Sequence, residues 1–172
     1  LGEINDIINR WLRVAGNPII AMRRSISVDA VDADHLQELL GAGLGKSILD
    51  ELRLVLDEID MIFSAGNQPE GMLLALKIAK HVVDRETGQR GFLITGNEAF
   101  LEPFNMGSQS LNSDFTLLIA LAKDHKESDK LAVLIARAQS LSGDWLERAG
   151  AREIEARRHM NQADRKRVVE GR

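Results

Sequence analysis

The sequence predicts an all-α protein, an antiparallel helical bundle of five or six helices of the four-helix-bundle type, built as one module or as two stacked modules. Two observations lead to this prediction. Apolar residues recur every three or four positions, and no segment alternates apolar and polar residues at a period of two. The composition is 44% hydrophobic but only 4% aromatic, with three prolines, which is the aliphatic mixture that helical cores use.

The N-terminal part of the chain predicts one short and one long helix. The short helix carries Trp11 in its apolar stripe and ends at Gly16. The long helix begins near Asp32 or Asp34, either of which can cap it, and its stripe runs straight through GAGLGKS at 41–47. The cluster SAGNQPEG then ends this helix.

The stretch GAGLGKS is similar to the end of a phosphate-binding P-loop, but its spacing differs. The pattern GxxxxGK[ST] requires glycine where Leu40 stands, and a P-loop also follows a buried strand. The glycines are therefore interpreted as positions where a neighbouring helix packs closely.

The later helices follow from turn residues and further apolar stripes. Gly66 suits the C cap of the long helix, and Pro69 suits the first turn of the next one. A stripe beginning at Phe104 reaches the polar turn at 123–129, where Ser128 is a suitable cap for the last helix. That helix contains the second tryptophan and continues into the charged C-terminal tail.

An internal repeat bears on domain organisation. WLRVAGNPIIAMRR at 11–24 and WLERAGAREIEARR at 145–158 match at Trp, Leu, Ala, Gly, Ile and the Arg-Arg pair. We interpret this match as a duplication, the alternative being a coincidence between two helix ends of similar composition. The chain is then divided into N-terminal helices at 1–64, which include the end of a preceding unit, and a four-helix-bundle unit at 65–172.

Charge and cysteine content exclude several classes of function. The net charge of −4 arises from two basic ends, residues 1–24 and 148–172, around an acidic middle. An acidic middle without tyrosine argues against a nucleic-acid partner, which would select a basic face with aromatic residues for stacking. The absence of cysteine excludes disulfides, thiolate metal sites and cysteine nucleophiles, and leaves the compartment open.

Residues 84–104 contain the glycine-rich motif DRETGQRGFLITG. Glu86 and Arg90 are spaced for an ion pair one helical turn apart, and two of the glycines remove side chains where helices would cross. Gly96 can take the left-handed conformation that closes a helix. Thr95 and Glu98 form a predicted capping box for a short turn over 96–101, after which the main helix begins near Glu102 to Phe104. These features predict a tight hairpin but name no ligand.

This motif, followed by Phe-Leu-Glu-Pro-Phe, resembles the signature of the CHASE-type extracellular sensory domain of the third class. That family occurs in bacterial histidine kinases, cyclases and chemoreceptors. Phe92 and Phe104 depart from the pattern, because tyrosine is common there in the family. The resemblance covers roughly residues 72–160, and Trp145 and residues 154–158 are similar to the family's closing helix. The matching motif residues with a structural or ligand-binding role are Asp84, Glu86, Thr87, Gly88, Gln89, Arg90, Gly91, Thr95, Gly96, Glu102 and Pro103.

The resemblance implies a periplasmic signal-input domain of an inner-membrane receptor, most directly a two-component histidine kinase. It implies a small-molecule or protein stimulus, a homodimer, and flanking transmembrane helices in a longer protein of which this chain is a piece. The alternatives are the periplasmic domain of a methyl-accepting chemoreceptor and a cytoplasmic helical scaffold or adaptor. An enzymatic role is not expected, because no nucleophile with a base and no paired carboxylates follow from the spacing.

Arg90 has two interpretations. In the first, Arg90 anchors a ligand carboxylate with help from Gln89 and Thr87. In the second, which is favoured, Arg90 pairs with Asp84 or Glu86 and holds the hairpin together. The second interpretation predicts that Arg90→Ala lowers the melting temperature, because a buried acidic side chain loses its counter-charge.

Neither a cofactor nor a metal ion is expected. The four histidines lack the spacing of a metal site and are interpreted as solvated or half-buried. Both tryptophans are interpreted as core anchors.

Overall fold

The structure is a computed structural model and describes residues 43–170. Within that range the chain is helical, and the prediction of an all-α bundle is confirmed, with four packed helical rods in this range rather than five or six. A 3-10 turn at Glu98–Leu101 precedes the third rod, and a π-helical turn at Leu146–Gly150 lies within the fourth. The α-helices are α1 Leu44–Ala65, α2 Pro69–Thr95, α3 Glu102–Ala122, α4 Ser128–Trp145 and α5 Ala151–Glu170.

The helices pack in the cyclic order α1, α2, α3, α4 around one aliphatic core. Burial of these side chains is the main stabilising contribution, because apolar surface leaves water on folding. The core side chains with no exposed surface are Leu52, Ile59, Phe63, Ile78, Leu118, Leu131 and Ala138. Trp145 at the end of α4 is also buried, so its predicted role as a core anchor is confirmed.

The turn between α1 and α2 confirms the prediction made for its ends. Gly66 is the C cap of α1 and donates its N–H to the Ile62 carbonyl at 3.0 Å. Pro69 opens α2, where its missing N–H would have had no helical acceptor. The left-handed residue of this turn is Asn67 rather than Gly66, with a φ of 55°.

Two predictions about these helices are wrong, one on the continuity of the long helix and one on the cap of α4. The long helix does not run through GAGLGKS, because Gly43 has a φ of 60° and this left-handed conformation interrupts an α-helix; α1 begins only at Leu44. Ser128 does not cap α4 but is its first residue. The N cap is Glu127, which makes no side-chain capping bond, and its own N–H donates to Nδ1 of His125 at 3.0 Å.

Several predictions lie outside the described residues. These are the short N-terminal helix with Trp11, the first copy of the repeat at 11–24, and the start of the long helix near Asp32 or Asp34. Among the helices of residues 43–170, none combines the length and apolarity that a membrane span requires.

Candidate functional site

The glycine-rich motif forms the end of α2 and packs directly on the start of α3. A Cβ added to Gly88 would lie 2.7 Å from the Phe104 backbone nitrogen and 3.0 Å from the Phe100 carbonyl oxygen. From the other side, a Cβ on Gly107 of α3 would lie 2.7 Å from the His81 carbonyl oxygen. Such distances are too short for a carbon atom, so glycine at both positions lets two helix backbones touch. The predicted tight hairpin is confirmed.

The hairpin turn is closed by Gly96. Its φ is 68°, and its N–H donates to the Phe92 carbonyl at 2.7 Å, as predicted for a left-handed cap. The capping box predicted for Thr95 and Glu98 is wrong. Asn97 caps the 3-10 turn instead, because its Oδ1 accepts the Ala99 N–H at 3.0 Å, whereas the Thr95 hydroxyl donates back to Gly91 at 2.7 Å.

The closing helix α5 clamps this turn from outside. The buried Arg157 donates from Nε to the Leu93 carbonyl at 3.1 Å, and Asn161 donates from Nδ2 to the Gly96 carbonyl at 2.8 Å. These carbonyls lie at the C-terminus of α2, where acceptors lack helical partners and a cation is favoured by the helix dipole. Arg158 adds a bidentate pair with Glu98, at 2.9 and 2.8 Å. The α2–α3 turn and α5 are therefore held as one unit.

A buried polar pair lies one turn deeper. Gln89 donates from Nε2 to a carboxylate oxygen of Glu153, and both residues are buried. Burial raises the pKa of the Glu153 carboxyl, and the Gln89 hydrogen bond and the nearby charge of Arg90 only partly oppose that effect. The fold thus disfavours the charged form of Glu153.

Arg90 points outward. Its side chain is 67% exposed and its Nη1 lies 3.4 Å from Oε1 of Glu86, so the predicted pairing with Glu86 is confirmed, but this acidic partner is half-buried rather than buried. Glu86 also has a second cation, Arg53 of α1, at 2.6 Å. Asp84 pairs with Lys80 at 2.6 Å instead of with Arg90. Arg90 is therefore one contributor to a surface ion network.

The other predicted site residues lie at the edge of the hairpin. Thr87, Glu102 and Pro103 are exposed, and Pro103 occupies the first turn of α3 as predicted. Gly91 faces the Phe100 ring, to which an added Cβ would approach within 2.7 Å. The structure thus brings the glycines and Gln89 into the packed interface and leaves the remaining motif residues near the surface.

Arg85 is a buried residue that the sequence interpretation missed. It is 4% exposed, and its Nη1 donates to the Ser142 hydroxyl of α4 at 2.9 Å. The guanidinium carbon lies 4.8 Å from the Trp145 ring centroid and 5.9 Å from that of Phe104. Desolvation lowers the pKa of Arg85 to about 10. Arg85 is the second residue of the motif DRETGQRGFLITG, but it is not among the residues that match the family signature, which is why the resemblance did not single it out.

Comparison with known proteins identifies the family of this chain. The family model of the CHASE3 domain matches residues 70–172. The chain belongs to the CHASE3 family. CHASE3 domains are sensory domains of receptors such as histidine kinases and chemoreceptors, typically extracellular ones. Neither the curated proteins nor the solved structures yield a match to the chain.

Helix α1 lies before the CHASE3 match but belongs to the same core. Its buried face packs against α2 and α4, and Gly45 approaches Ala149 so closely that an added Cβ would lie 3.0 Å away. The four-helix core that carries the CHASE3 motif is therefore completed by a helix N-terminal to residue 70.

The histidines and acids of the described chain offer no metal centre. Within residues 43–170, His, Asp and Glu side chains form no group of three that could hold a metal ion. His125 is buried against Phe63 rather than solvated, which corrects the interpretation made from the sequence. His81 is half-buried, with its Nε2 3.2 Å from Oδ2 of Asp114 on α3.

Glu153 and Arg157 were also missed as site residues. A signal for Arg157 was present, because the Arg-Arg pair is one of the features shared by the two copies of the repeat. For Glu153 there was none, since a glutamate between charged neighbours on a helix is ordinarily solvated.

Proposed function

We propose that this chain is the extracytoplasmic signal-input domain of a bacterial transmembrane receptor, most directly a two-component histidine kinase of the inner membrane. The observation that carries the proposal is the clamp of Arg157 and Asn161 on the α2–α3 turn, in a chain that belongs to a sensory family. The clamp joins the motif to the C-terminal helix, which would continue into a transmembrane segment in the full-length protein.

The proposed mechanism is a shift between two helix arrangements. A stimulus changes the balance only if it binds one arrangement more tightly than the other. Because Arg157 bonds to a main-chain carbonyl of α2 and Asn161 to that of its C cap Gly96, a displacement of the hairpin moves α5 with it. The domain itself needs no catalytic group for this role.

Location is tested by cysteine labelling of the full-length receptor. The chain has no cysteine, so a single Lys126→Cys in the exposed turn before α4 provides one thiol in this domain. A membrane-impermeant maleimide is expected to label it in right-side-out spheroplasts. The matched control, Ala138→Cys, is fully buried and should react only after denaturation. Labelling of Lys126→Cys only after lysis would instead support the cytoplasmic scaffold.

The output class is tested by phosphorylation. Membrane vesicles containing the full-length receptor are incubated with radiolabelled ATP, and a histidine kinase is expected to acquire acid-labile, base-stable phosphate. A receptor that acquires none but controls a separately added kinase would favour the chemoreceptor alternative.

We also propose that the domain acts as a homodimer through the groove between α1 and α2. The exposed aliphatic residues Leu73 and Leu76 of α2 line this groove, and apolar surface of this kind favours burial by a partner. Leu76→Glu is expected to convert the dimer to a monomer in analytical ultracentrifugation. Val133→Glu, which places the same charge on an exposed position of α4, should leave the dimer intact.

A further inference from the structure

A cavity opens between α3 and α4, with α2 as its floor. Its volume is about 190 Å³. Of the four neighbouring pairs among α1 to α4, α3 and α4 are the least closely packed, and Gly143 of α4 leaves open space where a side chain would stand. The lining includes Arg85, Ser108, Asn112, Phe115, Gln139 and Ser142.

The cation in this cavity has too few partners for its burial. Apart from the bond to Ser142, the Nε and Nη2 atoms of Arg85 are buried without a hydrogen-bond acceptor among residues 43–170. In the same range Arg85 forms no ion pair with a carboxylate. Stacking on Trp145 offsets part of the lost hydration, but a ring supplies no acceptor to the N–H groups. Buried charges in proteins are ordinarily paired, so an anionic partner is missing here.

We infer that a small organic carboxylate binds in this cavity as the stimulus of the proposed sensor, with the Arg85 guanidinium as its anchor and Ser142 as a second contact. The planar guanidinium fork matches a carboxylate with two parallel hydrogen bonds. Because Nε and Nη2 have almost no exposed surface in this arrangement, binding requires the Arg85 side chain to turn towards the cavity. Phe115 would pack against an organic portion, and Asn112 and Gln139 lie at the rim for further polar groups. A cavity of roughly 150 Å³ holds a six-carbon ring, which limits the ligand to a comparably small molecule.

The inference rests on the proposed function for its biological role, but its test does not. The chain of 172 residues is titrated with acetate, succinate and benzoate, and separately with the neutral amides acetamide and benzamide. A Trp11→Phe background leaves Trp145 as the only tryptophan, so its fluorescence reports on events beside Arg85. At least one carboxylate should change this fluorescence and raise the melting temperature by about 5–10 °C at a hundredfold excess over Kd. The matching amide should do neither.

Three variants locate the binding event. Arg85→Met should weaken carboxylate binding by roughly 10- to 100-fold, because a charge-assisted pair is lost. Gly143→Phe should obstruct the cavity, because Gly143 lines it and a Cβ there meets no atom within 4 Å. Arg137→Met removes an exposed arginine of α4 outside the cavity and should leave the affinity unchanged. If Arg85→Met does not fold, the folded Gly143→Phe variant tests the same site: loss of carboxylate binding supports binding in the cavity, and unchanged binding contradicts it.

The outcomes separate this inference from the proposed function. Absence of binding by every carboxylate, or equal binding by Arg85→Met, overturns the ligand assignment, even for a receptor shown to face the periplasm. Binding of inorganic phosphate in place of every organic carboxylate overturns it as well. Carboxylate binding by a chain that is labelled only inside the cell supports the site and contradicts the sensory location.

Discussion

At the end of the bundle formed by the turns at 66–68 and 123–127, the buried side chains are almost all apolar, whereas at the hairpin end charged and amide groups are buried among the apolar ones. Phe63 of the first end packs on Gly71 and lies edge-on to His125, with ring centroids 5.5 Å apart. At the hairpin end, Arg85, Gln89 and Glu153 are buried.

This difference separates stability from responsiveness. Apolar contacts are non-directional and need no specific partner. The free energy of folding that they contribute at the end with the turns at 66–68 and 123–127 is proportional to the apolar area buried there. A buried polar group depends on a specific partner, and a ligand that supplies or removes that partner changes the preferred arrangement. We therefore expect the first end to determine unfolding and the hairpin end to determine signalling.

The largest expected effect is at the apolar end. Phe63→Ala removes a ring with no exposed surface and should lower the free energy of unfolding by about 3–5 kcal/mol in urea denaturation. Met61→Ala, on the exposed face of the same helix, should change it by less than about 0.5 kcal/mol. If both variants lowered the free energy of unfolding equally, the apolar core at this end would not be the main source of stability.

The next effect concerns the backbone contact of the hairpin. Gly88→Ala places a methyl group against the Phe104 backbone and should cost about 1–3 kcal/mol of unfolding free energy. Gly143→Ala has open space and should instead stabilise the protein by up to about 1 kcal/mol, because alanine favours the helix. A stabilised Gly88→Ala would mean that the helices do not touch there.

A smaller effect should depend on pH. Because burial raises the folded-state pKa of Glu153, this group favours folding below the unfolded pKa, and that contribution is lost as the pH rises through the folded pKa. Glu153→Gln should therefore unfold at a higher temperature than the parent chain at pH 7, and the difference should shrink towards pH 4. Calorimetric scans at both values measure this. A constant difference would show that Glu153 does not titrate abnormally.

The smallest effect is expected for Arg90→Ala. Glu86 keeps Arg53 when Arg90 is lost, and the exposed pair is screened by solvent, so the free energy of unfolding should fall by less than about 0.5 kcal/mol. The same measurement on Arg53→Ala, which removes the other cation beside Glu86, provides the comparison. A loss of more than about 2 kcal/mol for Arg90→Ala would restore the role in holding the hairpin that the sequence suggested.

The helices, the turn at Gly66 and Pro69 and the left-handed Gly96 were predictable because each depends on local spacing or on backbone conformation. The motif itself identified the family. What could not be predicted depends on contacts between distant residues. Whether Arg85 or Arg90 points inward is decided by how α2 rotates against α3 and α4, and both positions carry the same side chain. The same holds for Glu153, which meets Gln89 across 64 positions of sequence.

The π-helical turn at Leu146–Gly150 determines which side of α5 faces the rest of the bundle. A π turn accommodates one residue more than an α turn, so removing one residue there would wind α5 back by about 100° about its axis. Arg157 and Asn161 would then face away from the Leu93 and Gly96 carbonyls, and the clamp would open without any change in the residues that form it. The rotation of α5 about its axis therefore depends on the five residues of this turn, which follow Trp145.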